Sequence, residues 1–101
     1  MSFEGKLTDN GYINITLEDT AELMKSDNYK ERFEAEYYQL RIRHDKLLEM
    51  VCRAKREELA FKPSCPIRIL EYQLQKMSEY LEILSCRAEI EGIRLYRVKV
   101  I

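Results

Sequence analysis

Two apolar stripes at heptad spacing, joined by a seven-residue link that carries two prolines, leave this chain few folds to choose from. The first stripe is Phe33, Tyr37, Leu40, His44, Leu47, Val51 and Ala54, and the second is Ile67, Leu70, Leu74, Met77, Leu81, Leu84 and Ala88. Alternating steps of three and four place one side chain per turn along a single helix face, so each stripe is the buried seam of a long helix. The link, Ala60-Phe61-Lys62-Pro63-Ser64-Cys65-Pro66, is too short for anything but a reversal. The expected core is an antiparallel helical hairpin over residues 27–59 and 66–91, a shape that offers surfaces for packing more readily than a pocket for chemistry. Phe61 is expected to tuck against the end of the hairpin, and Pro66 to sit in the first turn of the returning helix.

The ends of the chain read differently. Phe3-Glu4-Gly5-Lys6-Leu7 and Tyr12-Ile13-Asn14-Ile15-Thr16 flank Asp9-Asn10-Gly11, residues that tolerate positive φ, so residues 1–16 read as a β-hairpin. Residues 94–101 alternate and read as a strand. An isolated two-stranded hairpin is marginal in water, so the C-terminal strand is expected to complete a small antiparallel sheet. Thr16 can cap a short helix over residues 17–25, Ser26 or Asp27 can cap the first long helix, and Gly92 can end the last one in a left-handed turn. The fold class is therefore α+β, mostly α, in a single domain over residues 1–101.

Apolar surface exceeds what two helices can hide from water. Tyr38, Ile42, Leu48 and Cys52 on the first helix and Ile69, Tyr72, Tyr80, Ile83 and Ile90 on the second lie off the seam. Pairing two hairpins into a four-helix arrangement would bury them, which makes a second copy of the chain the expected partner, with Ile69, Tyr80 and Ile83 as candidate contacts.

Composition excludes several classes. Apolar residues make up 46% and charged residues 35%, a balance that suits an ordered helical protein and not a disordered tail. A net charge of -1 gives no global attraction to nucleic acid, so direct nucleic-acid binding is not expected. No stretch approaches the roughly 20 apolar residues of a membrane span, and the N-terminus lacks the pattern of an export signal, so a cytoplasmic protein with no membrane partner is expected. Cys52, Cys65 and Cys86 are an odd set without CxxC spacing, which points to reduced thiols, with Cys65 in the loop the exposed one. Three thiols and the lone His44 do not make a metal site, and no cofactor motif occurs. His44 falls on the seam, where a hydrogen-bonded core histidine is the simpler reading than a general base. No catalytic set of residues stands out, and the chain does not read as an enzyme.

The residues with binding potential are basic and aromatic. Arg41, Arg53, Lys55 and Arg56 crowd the first helix with Arg43 and Lys46, and Tyr37, Tyr38 and Tyr72 offer faces that can stack on a base. The simpler account pairs these cations with Glu34, Asp45, Glu49 and Glu57 as a solvated helix face. The alternative brings arginines and tyrosines of symmetric copies together in an anion pocket that one chain does not show.

Several runs carry a family resemblance: Leu17-Glu18-Asp19-Thr20, Glu22-Leu23-Met24, Tyr29-Lys30-Glu31-Arg32-Phe33, Ala35-Glu36-Tyr37, Lys46-Leu47, Leu59-Ala60-Phe61-Lys62-Pro63-Ser64-Cys65, then Leu70, Gln73, Met77, Tyr80-Leu81 and Arg87-Ala88-Glu89-Ile90-Glu91-Gly92-Ile93. In these the chain resembles a family of small helical proteins of phages and prophages of gut Firmicutes and of crAss-like phages, over about residues 17–93. The N-terminal hairpin and the tail after Ile93 lie outside the resemblance. Arg53-Ala54-Lys55-Arg56-Glu57-Glu58 departs from it, standing where the family has an acidic or neutral tract with a glycine. The resemblance implies a phage accessory protein acting in the host bacterial cytoplasm. By analogy with small non-catalytic phage proteins, the expected function is a counter-defence inhibitor that occludes a host defence protein, in the manner of an anti-CRISPR. The alternatives are an oligomeric sponge for a cyclic-nucleotide defence signal, and a structural or assembly protein.

Overall fold

Three helices and two very short strands make up the computed structural model, which describes residues 7, 8 and 10–98. In chain order they are β1 (Tyr12–Ile13), α1 (Leu17–Met24), α2 (Tyr29–Lys55), α3 (Ile67–Glu91) and β2 (Arg97–Val98). The two long helices form the expected hairpin. Phe33, Leu40, His44 and Val51 of the first stripe and Leu74, Met77, Leu81, Leu84 and Ala88 of the second are buried.

Local chemistry sets the helix ends. Thr16 and Asp19 form a reciprocal capping box at the start of α1, with bonds of 3.2 and 3.0 Å between side chain and backbone. Asn28, rather than Ser26 or Asp27, caps α2, its Oδ1 accepting the Lys30 N–H at 2.9 Å. Ser26 instead takes the Asn28 N–H and donates to Glu31. The first long helix stops at Lys55, short of residue 59, because Glu57 turns left-handed at φ 58° and the Glu58 N–H closes back on the Arg53 carbonyl at 2.8 Å. Pro66 stands at the N-cap of α3. Gly92 ends that helix in the left-handed conformation, φ 70°.

The two strands pair parallel, Tyr12 with Arg97 and Ile13 with Val98, and not antiparallel as alternation alone implied. Alternating residues reveal a strand but carry no direction; here the whole helical part intervenes as a crossover, which is what a parallel pair needs. The N-terminal arm shows as one antiparallel bridge, Leu7 with Ile13, closed by a turn in which the Gly11 N–H reaches the Thr8 carbonyl at 3.2 Å. Residues 1–6 and 9 of the expected hairpin and 99–101 of the expected strand lie outside the described residues.

α2 is the central element and is buried on two faces. Phe33 and Leu40 pack with Met77, Leu81, Leu84, Ala88 and Ile93 under α3. Ala35, Tyr38 and Ile42 pack with Ile13, Ile15 and Leu23, under α1 and the strands. Tyr37 and Leu95 touch both clusters. Tyr38 and Ile42 are thus covered within one chain; of the large apolar side chains left exposed, Ile69, Tyr72, Tyr80, Ile83 and Ile90 are on α3, and Tyr12, Leu17, Met24, Tyr29, Leu48 and Phe61 lie elsewhere. Phe61 does not tuck in; it is 59% exposed. Cys52 and Cys65 are half-buried and Cys86 is the exposed thiol.

Candidate functional site

Where β2 crosses α2, the chain forms an open cleft of about 480 Å3. Helix α2 supplies one wall with Tyr37, Arg41 and Asp45, spaced four residues apart and so stacked on one face. The C-terminal segment supplies the facing wall with Leu95, Tyr96, Arg97 and Val98, and β1 adds Tyr12. Three phenol rings and two guanidiniums converge there with one carboxylate.

The wall residues are held by what lies behind them. Tyr38, with no exposed surface, sits beneath the cleft, its ring edge-on to Tyr37 at 5.3 Å between centroids. Its phenol oxygen accepts the Tyr96 N–H at 3.0 Å, tying the C-terminal wall to α2. Burial pushes the Tyr38 phenol well above the usual tyrosine value; the Tyr96 N–H pulls the other way and the nearby Glu34 carboxylate adds to the rise. Asp45 Oδ2 lies 3.5 Å from Arg41 Nε, an ion pair one turn apart on the same helix face. Arg97 is exposed and has no ion-pair partner among the described residues. The guanidinium of Arg94 lies 5.2 Å from the centroid of Tyr96. With two cations against one carboxylate, the cleft is an electropositive spot on a chain of net charge -1.

Asp45 continues inward. Its Oδ1 lies 2.9 Å from His44 Nδ1, and His44 Nε2 lies 2.9 Å from Ser78 Oγ on α3. A carboxylate accepts, so Nδ1 carries a proton; in the neutral imidazole Nε2 is then the acceptor and the Ser78 hydroxyl donates to it. The order Ser, His, Asp invites comparison with a nucleophilic triad, but Ser78 lies in the middle of α3, where backbone N–H groups are engaged within the helix and cannot stabilise an oxyanion. The arrangement is a polar layer in the seam, as the position of His44 in the stripe implied. Among the described residues no group of three or more His, Cys, Asp or Glu is placed to hold a metal ion.

The seven sequence-predicted binding residues are dispersed. Tyr37 and Arg41 enter the cleft, Tyr38 lies under it, and Tyr72 is exposed on α3 with the Lys76 ammonium 5.3 Å from its ring centroid. Arg53, Lys55 and Arg56 stand at the loop end, beginning about 18 Å along α2 from Arg41 at about 1.5 Å per residue. There Lys55 pairs with Glu71 at 2.8 Å and Arg56 with Glu58 at 3.1 Å, and the Glu71 carboxylate holds the Lys55 ammonium above its usual value. Sequence reasoning passed over Tyr12, Tyr96 and Arg97. The signal for Tyr96 and Arg97 is the Arg94-Leu95-Tyr96-Arg97 run, basic and aromatic residues interleaved in a strand-forming segment.

A small helical hairpin with an open aromatic and guanidinium cleft has the build of a binding protein. The chain belongs to the Sequestin family, whose model matches residues 27–90, a name that speaks of sequestration and so of binding rather than turnover. No curated protein and no solved structure matches the chain. The family segment spans α2, the loop and α3, so the cleft joins one wall from inside it to one from outside it. Among the described residues no helix is long and apolar enough to cross a membrane.

Proposed function

We propose that this protein is a non-catalytic sponge that sequesters a small anionic nucleotide, of the kind used as a cyclic-nucleotide defence signal, as a phage accessory function. The observation that carries the reading is the convergence of Tyr12, Tyr37 and Tyr96 with Arg41 and Arg97 in one cleft. Its volume falls within the roughly 300–1,000 Å3 of small-ligand sites. A base stacked on a tyrosine gains about 1–3 kcal/mol whatever its identity, and guanidiniums grip phosphate oxygens through charge-assisted bonds. Asp45 is placed to accept from an exocyclic amine or a ribose hydroxyl. This arrangement needs no second copy, and together with the family name it favours sequestration over occlusion of an effector.

Titration calorimetry of the purified protein against a panel of cyclic and linear nucleotides tests the reading, with chromatography of the ligand recovered after heat release. Binding of at least one nucleotide, its return unchanged, and loss of at least tenfold in affinity in Arg41→Glu and in Arg97→Glu are expected. The reversal of Arg53, Lys55 and Arg56 to Glu serves as a distant control and should change affinity several-fold less. No binding across the panel overturns the proposal, and a ligand returned chemically altered overturns its non-catalytic part.

A further inference from the structure

On the side of α3 away from α2 runs a second heptad stripe, Ile69, Tyr72, Lys76, Glu79, Ile83, Cys86 and Ile90, all exposed. Tyr72 is 60% and Ile90 84% exposed, an unusual cost for large apolar side chains set at regular three-and-four spacing. The stripe is apolar at its ends and charged only in the middle, where Lys76 and Glu79 lie 3.3 Å apart within the chain.

We propose that this stripe pairs with the same stripe of a second copy, antiparallel, about a two-fold axis between Met77 and Ser78. The charge pattern chooses both partner and direction. In that register Lys76 of each copy meets Glu79 of the other, Tyr72 meets Ile83, and Ile69 meets Cys86, three self-complementary layers repeated on each side of the axis as a two-fold interface requires, while Ile90 reaches past the start of the partner's α3 to its loop. A parallel pairing sets Lys76 against Lys76 and Glu79 against Glu79, a like-charge layer at the centre of the seam. Tyr80 stays out of the stripe: its phenol donates to Glu36 on α2, which turns it to the rim of the hairpin. None of the cleft residues belongs to the stripe, so the dimer leaves two open clefts and stands or falls apart from the proposed ligand.

Sedimentation equilibrium of the full chain, with helicity followed by circular dichroism, tests the pairing by charge reversal and rescue. Lys76→Glu and Glu79→Lys should each weaken the dimer at least tenfold, and the double variant Lys76→Glu/Glu79→Lys should restore it, because the layer is again opposite-charged. Ile83→Glu should give a monomer with wild-type helicity. A wild-type monomer at high micromolar concentration overturns the proposal, as does a dimer that survives Ile83→Glu. A dimer that the double charge swap fails to restore overturns the antiparallel register.

Discussion

The Tyr38 phenol oxygen takes its hydrogen bond from the Tyr96 backbone N–H, at 3.0 Å, and so a wholly buried side chain of α2 fixes the segment that forms the far wall of the cleft. Tyr38 fills the space between α2, α1 and the strands, and its oxygen is the acceptor of the Tyr96 N–H.

That burial has a pH signature. The folded-state value of the Tyr38 phenol lies above the unfolded one, so its stabilising effect is complete below about pH 10 and is lost as pH rises beyond it. Urea melts should show the wild type losing up to about 1.4 kcal/mol per pH unit in that range beyond what Tyr38→Phe loses. At neutral pH, Tyr38→Phe should be weaker by about 1–2 kcal/mol, since the Tyr96 N–H is left without its acceptor. Equal alkaline slopes in the two proteins would contradict the assignment.

The polar layer in the seam predicts non-additive mutants. Ser78→Ala strips His44 Nε2 of its donor and should cost about 1–2 kcal/mol. Adding His44→Leu to Ser78→Ala removes the stranded Nε2 and should recover part of that loss, the remainder reflecting Asp45 Oδ1, which loses its His44 partner while Oδ2 keeps Arg41. A double-mutant cycle in denaturant measures the coupling. Additive losses would show that the two groups do not interact.

Glu57 holds a left-handed backbone, φ 58°, in which a side chain clashes with its own carbonyl. Glu57→Gly should stabilise the protein by about 1 kcal/mol, and a β-branched Val at the same place should destabilise it. Thermal midpoints of the three proteins give the order directly.

Phe61 offers a contrast with the buried aromatic residues. Because the residue is 59% exposed, Phe61→Ala should cost only a few tenths of a kcal/mol in denaturant melts, against the roughly 3 kcal/mol of a buried phenylalanine. A loss near the larger figure would place the ring in a contact with another chain.

The hairpin was legible in the residues because both of its determinants are local. Heptad spacing specifies which helix face is buried, and a proline-bearing link of seven residues specifies a reversal. The Thr16 cap, the seam position of His44 and the Gly92 stop were readable for the same reason, each being a preference of a residue for its nearest neighbours in the chain. Of the candidate site, Tyr37 and Arg41 could be picked out as a basic and aromatic pair one turn apart, but nothing local distinguished them from Arg53, Lys55 and Arg56. What separates them is distance across the chain: Arg97 and Tyr96 return to α2 after more than fifty residues, and only the packing of Tyr38 under α1 and the strands brings them opposite Arg41. The direction of the strand pair was likewise beyond a reading of alternation, since a side-chain period of two is the same in parallel and antiparallel ladders, and a parallel pair forms here only because the path of the three intervening helices returns the chain to β1 in the same direction.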